Sequence, residues 1–153
     1  MLCWYIMLRK YPDIQLRGRG FRNYVIGYRN ICPLKFGSYA SEEYVTVFKN
    51  KIYSTDSSSD TVTSYDMEGN THWKWQNHDE IKGICGVAVD NNSNVYVAGV
   101  NSGRIAIISS DGKLFKSLQP EGIKMPKAIH YNKKTNKLLI SEDCGDAGLY
   151  SVY

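Results

Sequence analysis

Long apolar runs and paired cysteines are both missing from this 153-residue chain. No apolar stretch approaches the roughly 18 residues needed to span a bilayer, so we predict no association with a membrane. The four cysteines are widely scattered, and none forms a C-x-x-C pair: Cys3, Cys32, Cys85 and Cys144. This spacing excludes a zinc finger, RING or B-box made from this sequence alone. We expect isolated cysteines of this kind to be small buried hydrophobic residues.

Acidic residues are nearly absent from the first quarter of the chain. Residues 1–40 hold seven basic residues against the single acid Asp13, whereas residues 41–153 are close to neutral. The basic segment RGRGFRNYVIGYR (17–29) also carries aromatic residues, which can stack on single-stranded bases. It therefore supports an alternative function, RNA binding, through four arginines: Arg17, Arg19, Arg22 and Arg29.

The apolar start of the chain does not have the order of a secretory signal. MLCWYIML (1–8) precedes Arg9 and Lys10, whereas a signal has its positive charge first and a small-residue cleavage site afterwards. We interpret residues 1–8 as a buried strand and expect a cytoplasmic protein.

A repeated pattern with a period of 43 residues dominates the rest of the sequence. Tyr53 in KIYSTD matches Tyr96 in NVYVAG, and the Glu68-Gly69 turn matches Asp111-Gly112. A period near 40 residues is typical of β-propellers, which use about 40–50 residues for each four-stranded blade. Twelve tyrosines agree with strand structure. The sequence thus predicts an all-β chain, a partial β-propeller of about three four-stranded antiparallel blades.

Turn residues divide the repeats into strands. Asp-Gly and Asn-rich turns predict hairpins between apolar runs. The predicted blades span residues 44–75, 86–118 and 127–153, and the predicted strands are 44–48, 51–55, 61–65, 71–75, 87–89, 95–98, 104–108, 113–118, 127–131, 137–141 and 149–153. The last blade has only three strands, and residues 1–8 are a candidate fourth. We interpret residues 1–43 as this closing strand followed by a diverged blade or an incomplete segment.

GVAVDNNSNVYVAGVNSGRIAIISSDGKLFKSL (86–118) resembles an NHL repeat, and KIYSTDSSSDTVTSYDMEGN (51–70) is similar to a YWTD repeat with Ser54 in place of Trp. The likeness covers residues 44–153 and is greatest to the C-terminal propellers of tripartite-motif (TRIM) proteins. This resemblance implies a partner- or substrate-recognition module from a ubiquitin-ligase family. The RING and B-box spacings of that family do not occur in this sequence.

The first hypothesis is therefore a non-catalytic protein-interaction module that needs no cofactor. Loops on a rigid scaffold commonly carry binding function. The candidate loops are 56–60, 78–82, 99–103 and 144–148, and the candidate binding residues are Asp56, Ser58, Asp60, His78, Lys82, Asn101, Arg104, Asp143 and Asp146. We also expect self-association, because unpaired blade edges invite pairing with another chain.

A metal-dependent propeller hydrolase or lyase is the remaining alternative. Its best ligand is His130, on a strand predicted to lie nearest the propeller channel. His72 is predicted on an outer strand and His78 in a loop, so three ligands do not converge. The sequence contains no phosphate-binding glycine loop and no G-x-S-x-G motif. We therefore predict no metal site and no enzymatic activity.

Overall fold

The computed structural model of the chain describes residues 42–143 and 145–153. These residues form eleven strands in three antiparallel sheets, with no helix among them. The first sheet contains β1 (Glu43–Phe48), β2 (Lys51–Asp56), β3 (Thr61–Asp66) and β4 (Thr71–Gln76); the second contains β5 (Ile84–Val89), β6 (Val95–Gly99), β7 (Arg104–Ile108) and β8 (Phe115–Leu118); the third contains β9 (Pro126–Asn132), β10 (Lys137–Glu142) and β11 (Ala147–Ser151).

The strand order within each sheet follows the chain, as in propeller blades. The three sheets, with four, four and three strands, confirm the predicted all-β fold class of a partial propeller. The predicted closing strand and most of the N-terminal segment fall on residues 1–41, outside the described residues. In the part that the structure describes, no helix is long and apolar enough to cross a membrane.

Three predicted strands had boundaries that were wrong by two or three residues. β5 begins at Ile84 rather than Val87, and β11 spans Ala147–Ser151 rather than 149–153. β8 begins at Phe115 rather than Lys113, because Leu114 still belongs to the turn. The Leu114 carbonyl accepts a hydrogen bond from the Ser109 amide (2.8 Å), and its own amide donates to the Ser109 hydroxyl (3.0 Å).

The second sheet is sandwiched between the other two. All residues of β5 and β6 are buried, so these strands are continuous apolar runs rather than alternating ones. β1 and β11 lie in the outer sheets, and their residues alternate between exposed and half-buried positions. The alternation runs along the whole of β11 and begins after the first residue of β1. The repeated sequence therefore folds into a stack of sheets whose middle member is covered on both faces.

Two apolar cores hold the stack together. The first joins the first and second sheets and includes Trp75, whose ring meets Phe115 edge-on at 5.4 Å between centroids. The second joins the second and third sheets and includes Tyr96 stacked on Tyr131 at 6.1 Å. Burying each large apolar side chain contributes about 1.5–3 kcal/mol, so these cores are the main source of stability.

The two ends of the sheets carry different connections. At the end that we call the loop end, chain segments link β2 to β3, β4 to β5, β6 to β7, β8 to β9 and β10 to β11. At the opposite end, called the turn end, the chain links β1 to β2, β3 to β4, β5 to β6, β7 to β8 and β9 to β10. Every connection between sheets therefore lies at the loop end.

Candidate functional site at the loop end

All four loops predicted as binding segments lie at the loop end. The order of antiparallel strands requires this, because each predicted loop follows an even-numbered strand. A fifth connection, Gln119–Met125, joins them there. The sequence analysis missed this segment, although its length and its exposed charges Glu121 and Lys124 were available signals.

The first loop is closed by Asp56. Its carboxylate accepts hydrogen bonds from the Ser58 amide (2.9 Å) and from the hydroxyls of Ser58 (2.6 Å) and Ser59 (2.8 Å). Burial alone would raise the pKa of Asp56, but these hydrogen bonds lower it below its usual range. The contacts between Asp56 and Ser58 thus stabilise the conformation of the loop. They also favour the charged form of Asp56, so its carboxylate adds a negative charge to the loop end.

Asp60 connects the first loop to the next one. Its carboxylate accepts a hydrogen bond from the Ile84 amide (2.9 Å) and lies 3.7 Å from the His78 imidazole. The His78 side chain itself is exposed. The two predicted residues are therefore brought together, with Asp60 in a structural position and His78 accessible.

The second and third loops are bonded through their backbones. The Asn101 amide donates to the Lys82 carbonyl (3.0 Å), and the Val100 amide donates to the Gly83 carbonyl (3.0 Å). Arg104 donates to the Ser117 hydroxyl (3.3 Å), which in turn donates to the Glu80 carboxylate. The side chains of Lys82, Asn101 and Arg104 remain exposed.

The fourth and fifth loops meet at the third sheet. The Asp143 amide donates to the Met125 carbonyl (3.2 Å), and the Glu142 carboxylate accepts hydrogen bonds from the amides of Lys124 and Met125. Asp146 is exposed beside them. The first three loops are thus hydrogen-bonded to one another, and so are the fourth and fifth. The two groups are connected through Lys127, which donates to Asp143 and Glu42, and through the Glu42 amide, which donates to the Ser57 hydroxyl.

An ion-pair cluster that the sequence analysis missed lies at this end, between the residue before β1, the start of β9 and the β10–β11 loop. The Lys127 ammonium is 2.7 Å from the Asp143 carboxylate and 3.3 Å from that of Glu42. Hydrogen bonds to Asp143 and Glu42 raise the pKa of Lys127. Asp143 was a predicted site residue, whereas Glu42 and Lys127 are 85 positions apart and gave no local signal.

Cys85 lies beside this cluster, and its thiol is buried. Burial, with a further contribution from Glu42, raises the pKa of Cys85 to about 11. The thiol is therefore protonated at neutral pH and is a weak nucleophile. This agrees with the expectation of a small buried hydrophobic residue; Cys3, Cys32 and Cys144 lie outside the described residues.

The loop end is strongly acidic. We assign to each end its connections and the two terminal residues of each adjoining strand, and to the loop end also Glu42 and the start of β1. Of the carboxylates in residues 42–153, ten lie at the loop end and four at the turn end. Basic side chains have the opposite distribution, with four at the loop end and seven at the turn end. The described part of the chain thus carries charge of opposite sign at its two ends.

A polar cavity of about 580 Å³ opens beside the loop end on the face of the first sheet that points away from the second sheet. Ser54, Thr63 and Gln76 contribute to its lining, and Asp56 lies at its rim. The corresponding positions in the second sheet are the apolar Val97 and Ala106, which pack in the first core. The cavity therefore departs from the repeat pattern.

The histidines are separated. His130 is on β9 as predicted, but its side chain is exposed and stands opposite Leu139 on the face away from the second sheet. His72 is exposed on β4, and His78 is in the β4–β5 loop. Among the described residues, no group of three histidine, cysteine, aspartate or glutamate side chains is placed to hold a metal ion.

Comparison with solved structures identifies the fold as that of a β-propeller. A streptogramin B lyase structure matches 71% of this chain and 39% of its own, with a TM-score of 0.51 and 15% identity. A catalytically inactive histidine-to-alanine variant of virginiamycin B lyase from Staphylococcus aureus with quinupristin matches 92% of this chain and 48% of its own, with a TM-score of 0.54 and 14% identity.

The computationally designed protein Ika4 gives a TM-score of 0.56 over 71% of this chain and 64% of its own, at 14% identity. This chain therefore spans less than half the length of the two lyases. No protein-family model matches it, and neither does any curated protein. At these identities the likeness concerns the fold alone.

Proposed function

We propose that this chain is a non-catalytic protein-interaction module of the NHL type, and that its recognition surface is the loop end. The observation that carries the proposal is the joining of five exposed loops into one acidic surface. Carboxylates in such number attract basic partners and repel nucleic acid. The partner that fits is a protein segment rich in lysine and arginine, as the resemblance to tripartite-motif propellers would allow.

Random peptides displayed on phage and selected on the 153-residue chain test this proposal. We expect enrichment of lysine- and arginine-rich sequences. Their binding should weaken about tenfold or more in the triple variant D79N/E121Q/D146N, because three exposed carboxylates are neutralised. The matched control E68Q neutralises an exposed carboxylate at the turn end and should bind normally. Enriched peptides without a charge bias, or binding unaffected by the triple variant, would refute the proposal.

RNA binding through Arg17, Arg19, Arg22 and Arg29 is the second candidate, and these arginines lie outside the described residues. The acidic loop end argues against RNA on that surface. Filter binding of single-stranded RNA at low salt separates the two functions. We expect no retention; retention that falls steeply with salt and disappears when the four arginines become glutamines would favour RNA binding.

The lyase structures are the reason to test catalysis as well. They share the fold, and one of them is inactive after loss of a histidine. We expect incubation with quinupristin to leave the antibiotic intact by mass spectrometry. Turnover by the wild type that is lost in His130→Ala would refute the proposed interaction module and show that the chain is an enzyme.

A further inference from the structure

Two lysines share one aromatic ring at the turn end. Lys49 follows β1, Lys133 follows β9, and Phe48 is the last residue of β1. The Lys133 ammonium nitrogen is 3.3 Å from the centroid of the Phe48 ring, and that of Lys49 is 5.0 Å from the same centroid. The ring attracts both cations through its electron-rich face but does not neutralise them.

Neither lysine has a carboxylate partner among the described residues, where every ion pair is at the loop end. Asp90 is the acid whose charge acts on Lys133, but its carboxylate is buried. It already accepts hydrogen bonds from the Asn92 amide, the Asn94 amide and side chain, and the Tyr96 hydroxyl. Burial and the neighbouring Lys49 charge lower the pKa of Lys133. Two positive charges therefore lie close together with no carboxylate of the described residues in direct contact with either.

Asn91 bonds to the turn that carries Lys133 and to the ammonium group of Lys49. Its side-chain amide donates to the Lys133 carbonyl (2.9 Å) and to the Asn136 side chain (3.0 Å), and its carbonyl accepts from the Lys49 ammonium (3.3 Å). Each ammonium group has three N–H donors, and Lys49 uses one of them here. Donors on both lysines thus remain available to a ligand in a preorganised setting.

We propose that Lys49 and Lys133 bind a phosphate group at the turn end. A dianion would neutralise both charges and accept hydrogen bonds from both ammonium groups, and such charge-assisted bonds are the strong ones. The excess of basic residues at this end favours its approach. This site lies opposite the loop end and is independent of the function proposed for that surface. The phosphate could be free, or a monoester on a partner protein.

Titration of the 153-residue chain with inorganic phosphate, pyrophosphate and a phosphoserine peptide, each at constant ionic strength, tests the site. Calorimetry should detect binding by wild type, and K49Q/K133Q should weaken it at least about tenfold, since two charge-assisted contacts are lost. K113Q/K116Q is the matched control, because it removes two exposed lysines of the turn end and should bind as wild type does. K49R/K133R keeps both charges and should retain binding, which separates loss of charge from loss of folding.

The outcomes are distinct. Tighter binding of the phosphoserine peptide than of inorganic phosphate would support the proposal and identify a phosphorylated partner, and the reverse would support it with a free anion. Equal loss in K113Q/K116Q and K49Q/K133Q would overturn it in favour of general attraction by positive charge. Absence of phosphate binding by wild type at low ionic strength would also overturn it.

Discussion

Tyr53 and Tyr96 occupy the same repeat position but have different hydrogen-bonding surroundings. Both side chains are buried. The Tyr96 hydroxyl donates to the Asp90 carboxylate (3.2 Å), whereas the Tyr53 hydroxyl has no hydrogen-bond partner among the described residues, although Ser64 lies opposite it on the neighbouring strand. An unpaired buried polar group costs stability, and a paired one contributes to it.

The same substitution should therefore have opposite effects at the two positions. Tyr96→Phe should lower the free energy of unfolding by about 1.5–3 kcal/mol, because a hydrogen bond to a charged group is lost. Tyr53→Phe should leave it unchanged or raise it by up to about 1 kcal/mol, because an unpaired hydroxyl is removed. Urea denaturation of the two variants measures both effects. Equal destabilisation would show that the Tyr53 hydroxyl is satisfied.

At the scale of secondary structure, two turns use the same five-residue plan. In Asp66–Asn70 and in Asp90–Asn94, the aspartate accepts hydrogen bonds from the amides two and four residues later and from the final asparagine side chain. The fourth residue has a positive φ in each turn, 91° at Gly69 and 70° at Ser93. This conformation suits glycine and strains serine.

Ser93→Gly should raise the free energy of unfolding by roughly 0.5 kcal/mol, because the relief of left-handed strain exceeds the entropy cost of glycine. Gly69→Ser should lower it by a similar amount for the converse reason. Chemical denaturation of both variants provides the measurement, and each serves as the other's control. A loss of stability in Ser93→Gly would contradict this explanation of the turns.

The turns and apolar runs explain why the strands were predictable. Asp111-Gly112 and the repeated tyrosine are local signals in the sequence, so the three blades could be predicted from them. The β8 boundary was missed because the Ser109 hydroxyl extends the turn by a side-chain contact. The Glu42–Lys127 pair and the Lys133–Phe48 contact join different sheets, so they depend on blade packing and no local pattern predicts them.

At the scale of the whole molecule, no described residue covers the outer face of the third sheet. Leu139 and Leu149 are paired across β10 and β11 there, with 44% and 61% of their surfaces exposed. The equivalent faces of the first and second sheets are covered by the next sheet in the stack. The uncovered face is thus suited to pack against another sheet.

We predict that the 153-residue chain self-associates through this face. Light scattering at micromolar concentration should give at least twice the monomer mass, and L139E/L149E should restore the monomer by placing charges on the face. L114E/L118E is the matched control, since it changes two exposed leucines, one in the β7–β8 turn and one at the end of β8, and should leave the mass unchanged. A monomeric wild type would rule out the predicted association.

Gly86 lies where β5 passes β9 at the inner side of the stack. A β-carbon at this position would stand 2.5 Å from the Lys127 carbonyl oxygen and 2.9 Å from the Ile129 amide nitrogen. Any other residue would push the inner strands apart while leaving the outer strands in place, and the angle between the second and third sheets would become smaller. When the angle between neighbouring sheets is smaller, more blades are needed to close a ring. The lack of a β-carbon at Gly86 therefore helps to determine the number of blades in a closed ring of this repeat.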